Sequence, residues 1–177
     1  FAPRFYQTDR YYRPLMLIRK VERMDGNPRI IVKCKPKGDY GNVTPQSSMG
    51  SNHIRFLGLE AHCRLTTNIS LNYVLGEESF VLNETKYMVM TYGSPLEASL
   101  EETVDLFLSK TKNYWRNWIK TAAIVNFSQR EAIRSALILK IHQYEDTGAI
   151  IAAATTSLPE SPGSTRNWDY RYCWMRD

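Results

Sequence analysis

Apolar residues recur at short, alternating intervals through the first half of the chain and at helical intervals after that. From residue 11, "YYRPLMLIRKVERM" runs into Asp25-Gly26-Asn27-Pro28, a strong turn signal, and "RIIVKCKPK" follows it. The turn-rich "KGDYGNVTPQSSMGSN" then precedes five short strand candidates: "HIRFLGL", "HCRLTT", "SLNYVL", "SFVLNE" and "KYMVMTY". Short runs separated by Gly, Asn and Pro predict an antiparallel β-sandwich over residues 11 to 92. Pro14 and Pro36 fall near strand ends or edges, where a missing N–H does least harm.

The period changes near Pro95. Ser99 followed by Glu102 forms a capping-box pattern, and Glu101 and Glu102 suit the positive end of a helix dipole. Leu100, Val104, Phe107, Leu108, Thr111, Trp115, Trp118 and Ile119 then predict an amphipathic helix of about 20 residues. Its two tryptophans face one way and read as packing anchors. A second helix is predicted from Ser128, with Glu131 three residues on and a buried stripe of Ile133, Ala136, Leu137, Ile141 and Tyr144. Gly148 is its expected left-handed cap.

The order is a β domain over 1–96, a linking-helix region over 97–126, and the opening of an all-helical region over 127–177. The helical part is too short to form a core alone. It is expected to continue in further polypeptide, as is suggested by a chain that opens on Phe1 and closes within a dense motif.

Composition changes this picture little. A hydrophobic share of 43% and a charged share of 23% fit an ordinary globular protein. No apolar run approaches the roughly 20 residues of a membrane span. The net charge is +5, and Arg4, Arg10, Arg13, Arg19, Lys20, Arg23, Arg29, Lys33, Lys35 and Lys37 carry much of the excess. Many of these alternate with apolar residues, which assigns them to solvated strand faces and not to a nucleic-acid surface. Cys34, Cys63 and Cys173 show neither zinc spacing nor a disulfide framework, so reduced thiols in a cytosolic protein are expected. His53, His62 and His142 are isolated and read as structural; no metal and no cofactor is expected.

Candidate chemistry concentrates in "RNWDYRYCWMRD", at Arg166 to Asp177. Trp168, Tyr170, Tyr172 and Trp174 offer flat faces that could cover the C–H faces of a pyranose. Arg and Asp side chains offer forks for its hydroxyls. The same period-two alternation also describes an extended segment with an aromatic inner face, and composition leaves both readings open.

The whole string is more specific than its parts. "TTSLPE" followed by "RNWDYRYCWMRD" resembles the signature of glycoside hydrolase family 15, the glucoamylase and bacterial glucoamylase-like or trehalase group. "EAIRSALILKIHQYEDTGAIIAAATTSLPE" is similar to the first helix of that family's catalytic barrel and the loop after it. "YWRNWIK" resembles the helix linking its N-terminal sandwich to the barrel. The resemblance is close over residues 98–177, and extends to 1–97 only as a β domain. It implies an N-terminal supersandwich-like β domain, a linker helix, and the first elements of an incomplete (α/α)6 six-hairpin barrel.

By the same resemblance, Arg176 and Asp177 bind outer hydroxyls of the non-reducing glucose. Trp174 lines that pocket, Tyr170 sits beside the reacting sugar, and Trp168 is wall or support. Met175 falls at a variable position. The family inverts configuration using two glutamates about 6.5–9.5 Å apart, and both are expected beyond Asp177, so no catalytic residue is assigned within this chain. Glu160 matches a loop glutamate of the family. The implied substrates are terminal α-glucosidic bonds of glucan oligosaccharides, or trehalose. The other class of reading is a non-catalytic carbohydrate-binding or interaction module built on the β region.

Overall fold

The computed structural model of the chain describes residues 1–96, 98–154 and 161–175, which divide into two units, Phe1–Tyr114 and Trp115–Asp177. The first unit is β-rich. Strands β1 (Phe5–Gln7) and β2 (Arg10–Tyr12) form a small hairpin. Strand β3 (Met16–Val21) belongs to the main sheet, and β4 (Arg29–Ile30) to a minor ladder. There follow β5 (Gln46–Met49), β6 (His53–Leu57), β7 (Cys63–Thr67), helix α1 (Leu71–Leu75), β8 (Phe80–Val81) and β9 (Lys86–Tyr92). The main sheet is antiparallel, in the order β3-β9-β7-β6-β5, and β4 pairs with β8.

Strand β9 lies inside the sheet, between β3 and β7, and "KYMVMTY" suits that place because it is apolar on both faces. Ile18 pairs with Val89 on one side, and Val89 with Thr66 on the other. One face of the sheet carries Phe56, Cys63, Leu65 and Met88 in a core shared with Ile69, Val74 and Phe80. The opposite face carries Met16, Ile18, Tyr87 and Val89, and these are covered by Val104 of helix α2 (Leu100–Lys120). Ile54, Val89 and Val104 are wholly buried. Each such aliphatic side chain contributes about 1.5–3 kcal/mol through burial.

The start of α2 is held on that face by polar contacts as well. Lys20 Nζ pairs with Asp105 at 2.8 Å and Glu22 at 2.9 Å. Arg4 Nε donates to the Tyr114 hydroxyl at 3.1 Å, and the Phe107 ring lies 5.4 Å from that of Phe5. Beyond the end of β7, Asn68 continues the ladder with its side chain: Nδ2 donates to Thr85 O, and Oδ1 accepts from Tyr87 N.

Several expectations need correction. "SLNYVL" forms helix α1 and not a strand, because Leu71 and Val74 are spaced for one helical turn and the Ser70 carbonyl accepts from Tyr73 N and Val74 N. Of "RIIVKCKPK", only Arg29–Ile30 is ladder-bonded. Strands β1 and β5 lie where no strand is predicted. Strand β5, "QSSM", has no buried residue and therefore no hydrophobic alternation to betray it.

In the second unit, the last residues of α2 place Trp115 and Trp118 edge to face, 6.4 Å apart. Helix α3 (Gln129–His142) begins after Ser128, which adopts a left-handed conformation (φ 44°) and makes no side-chain cap bond. The capping box therefore fails: a cap hydroxyl needs an extended backbone to reach the first-turn N–H groups. The helix also ends before Gly148. Gln143 turns extended and bridges to Ile150, and Gly148 (φ 77°) instead serves the turn closed by Tyr144 N donating to Ala149 O at 2.7 Å. No residue of α3 is buried among the described residues: Ile133, Ala136 and Leu137 of its stripe are half-buried, and Ile141 is exposed.

Candidate functional site

The aromatic segment is anchored by backbone bonds to the strand-like stretch after α3. Ala153 N donates to Tyr170 O at 2.8 Å, and Ala152 N to Tyr172 O at 3.3 Å. Ile151 N donates in turn to His142 O at 3.1 Å, which ties both segments to the helix end. The loop leading in is closed by Asn167, whose Nδ2 donates to Ser164 O at 2.9 Å and Ser161 O at 3.3 Å.

This anchoring brings Tyr170 and Trp174 together, both half-buried, with ring centroids 6.4 Å apart and planes 31° from parallel. The Trp174 Nε1–H is buried and has no hydrogen-bond partner. A buried indole N–H normally finds an acceptor, and this one has none among the described residues. Trp168 is exposed and touches neither ring in a stacked or edge contact among the described residues. Tyr172 and Met175 are exposed. Arg176, Asp177 and Glu160 lie outside the described residues.

The charged pair within the segment is intramolecular. Arg171 embraces Asp169 through Nη2–Oδ2 at 2.6 Å and Nε–Oδ1 at 3.0 Å, and its backbone N–H also donates to Oδ1. The Arg171 side chain first, and its backbone N–H second, hold the Asp169 carboxyl down to about 2. A carboxyl held ionised in this way cannot act as a general acid near neutral pH. Glu145 pairs with Lys140 at 3.8 Å. Among the described residues of the aromatic segment, the one carboxylate, Asp169, is therefore tied up by Arg171.

Sequence reasoning passed over Asp169 and Arg171 as a pair, although their spacing of two residues in an irregular segment is the signal that could have found them. Among the described residues no group of three His, Cys, Asp or Glu could hold a metal ion. His53 is buried and wedged over Gly50, where an added Cβ would strike the imidazole.

Residues 127–177, the stretch that contains this site, match the profile of the glycosyl hydrolases family 15. The trehalase of Mycolicibacterium smegmatis is 33% identical over 92% of this chain, which covers 26% of that protein. The trehalase of Thermoplasma acidophilum is 31% identical over 90% of the chain and 28% of its own length. Trehalase 1 of Sulfolobus acidocaldarius is 38% identical over 54% of the chain and 15% of its own. The chain spans about a quarter of the length of the relatives it matches almost throughout. No solved structure matches it at a significant level.

Proposed function

Because this chain belongs to glycoside hydrolase family 15, we propose that it forms part of an enzyme that hydrolyses an α-glucosidic bond with inversion, with trehalose as the preferred substrate. The names of the relatives favour trehalose over the terminal bonds of glucan oligosaccharides. In this reading residues 1–96 are an N-terminal β-sandwich, 97–126 the linking helix, and 127–177 the opening of an (α/α)6 barrel. The general acid and general base glutamates come from polypeptide beyond Asp177. The thiols of Cys34, Cys63 and Cys173 form no disulfide, which fits the reducing, cytoplasmic setting of this reading.

One observation carries the sugar-binding role: the buried Trp174 N–H without a partner beside the Tyr170 ring, inside the stretch that matches the family. Tyr170 and Trp174 cover an apolar sugar face, the indole N–H donates to a hydroxyl, and Arg176 and Asp177 grip the outer hydroxyl rim. Trp168, exposed and apart from these two rings here, would join the wall only when a sugar is bound. The remaining work, protonating the glycosidic oxygen and activating water on the opposite face, needs two carboxyls about 6.5–9.5 Å apart.

The test is glucose release from trehalose, maltose and maltotriose by the whole protein, with product anomers followed by NMR. Trehalose cleavage giving one inverted and one retained glucose is expected. Dominant maltotriose cleavage would move the reading to a glucoamylase, and no cleavage of any of the three would overturn it. Each charged hydrogen bond is worth about 1.5–3 kcal/mol, so Arg176→Ala or Asp177→Ala should lower kcat/KM about 10- to 150-fold. Trp174→Phe keeps an aromatic face, though a smaller one, and loses the donor, and should cost about three- to ten-fold. The 177-residue chain alone should release no glucose.

A further inference from the structure

Strands β6 and β7 place Arg55 directly opposite Arg64 in the antiparallel register. Both side chains therefore leave the same face of the sheet, where like charges directly opposite destabilise the pair. This is the face that α2 covers over β3 and β9. Next to the two arginines it holds a cavity of about 250 Å³, whose lining includes Arg55, Arg64, Thr91, His62, Gly93 and Pro95.

Two positive groups share this cavity, and among the described residues no carboxylate pairs with either. The Arg55 Nε–H donates to His53 Nε2 at 3.2 Å, a bond that does not use its two terminal nitrogens. The accepting His53 nitrogen requires a neutral ring with its proton on Nδ1, next to Asn52 Oδ1 at 3.3 Å. Burial, then the positive charges of Arg64 and Arg55, lower the His53 pKa and keep it so. The Arg64 Nε–H is buried without any partner. The hydroxyl of Thr66, two residues along the same face, is also unpartnered, and that residue is only 3% exposed. Buried polar groups without partners are uncommon and costly, and here two lie on one face beside a matched pair of guanidinium forks.

We infer that this cavity is a binding site for a small, doubly charged oxyanion, held between Arg55 and Arg64. Two guanidiniums beside a neutral imidazole leave two positive charges to be balanced. Guanidinium forks suit tetrahedral oxyanions and carboxylates alike through paired N–H donors. The volume admits an ion of phosphate or dicarboxylate size with a small attached group. The site lies on the β unit and owes nothing to the sugar-binding aromatic segment.

Calorimetric titration of the 177-residue chain with phosphate, sulfate and succinate, each at ionic strength matched by chloride, tests this directly. Saturable, one-to-one binding of at least one dianion is expected, with a matching rise in the thermal midpoint. Phosphate and sulfate also stabilise proteins by exclusion from their surface, so saturation is the deciding feature. Arg55 is exposed, so Arg55→Gln should fold normally and weaken binding at least ten-fold. Arg64→Gln should do the same, and its unfolding curve checks that it folds. A response confined to succinate assigns the ligand to the dicarboxylates, and one confined to phosphate and sulfate assigns it to the tetrahedral anions. A non-saturating response, or one unchanged in Arg55→Gln, identifies an adventitious ion only and overturns the site.

Discussion

The two units treat their apolar residues in opposite ways. In the β unit the hydrophobic positions of β3, β6, β7 and β9 close on Val74 and Val104, and Ile54 and Val89 have no exposed surface. From Trp115 onward no described side chain is buried, and Leu139 and Ile141 of α3 are more than half exposed. Yet α3 is written with the apolar spacing of a core helix. A helix with a greasy face stabilises itself by packing and not by propensity, so the pattern of α3 calls for a partner layer. Relatives about four times longer have ample polypeptide to supply one.

Substitutions should expose this contrast most strongly at α2. Val104→Asp places an unpaired charge where the helix meets Ile18 and Val89, and should unfold the β unit outright; circular dichroism and loss of a cooperative urea transition measure it. Val89→Ala is milder and should cost about 1–3 kcal/mol in the same assay, given the apolar surface lost and the cavity left. Ile141→Ala on the open face of α3 should change stability by under about 0.5 kcal/mol in this chain. In a longer polypeptide that covers α3, the same change should cost about 2–5 kcal/mol, the range for buried Ile truncation. Equal costs in both contexts would refute the partner layer. Gly50→Ala comes next: its methyl would strike the His53 ring, shift that ring off Arg55 Nε, and lower the midpoint by a few degrees.

What could be read beforehand follows from which interactions are local. Strand β9 was legible because a doubly buried central strand is apolar at nearly every position. Helix α2 was legible because Leu100, Val104, Phe107 and Thr111 recur every three or four residues. Strand β5 was invisible because "QSSM" is held at the sheet edge by backbone bonds to β6 alone, which leave no trace in side-chain pattern. Helix α1 was mistaken because five residues with apolar ends fit one helical turn as well as a short strand, and only tertiary packing of Val74 decides. At the candidate site the aromatic residues were legible as types in a string. The Arg171–Asp169 clamp and the buried Trp174 N–H depend on a bend that pairs 152–153 with 170–172, a non-local fact. The Arg55–Arg64 juxtaposition likewise needs the β6–β7 register, since the two lie in separate runs.

The Asp169 clamp permits the finest test of how independently the aromatic segment is ordered. Its carboxyl titrates at about 2 in the folded chain, below the ordinary 3.8. A depressed carboxyl stabilises the fold fully above its ordinary value and loses that contribution as pH falls towards the folded value. The clamp should therefore be intact above pH ~4 and open progressively towards pH ~2. The effect is small because the pair is partly solvated, so global unfolding is a poor reporter. The side-chain 13C shift of Asp169 and the Trp174 indole N–H resonance should move together through that window. Asp169→Asn should place the indole resonance at its low-pH position already at neutral pH. An indole that holds its neutral-pH position in this variant would mean that the backbone bonds from Ala152 and Ala153 suffice to set the segment, and that the clamp only decorates it.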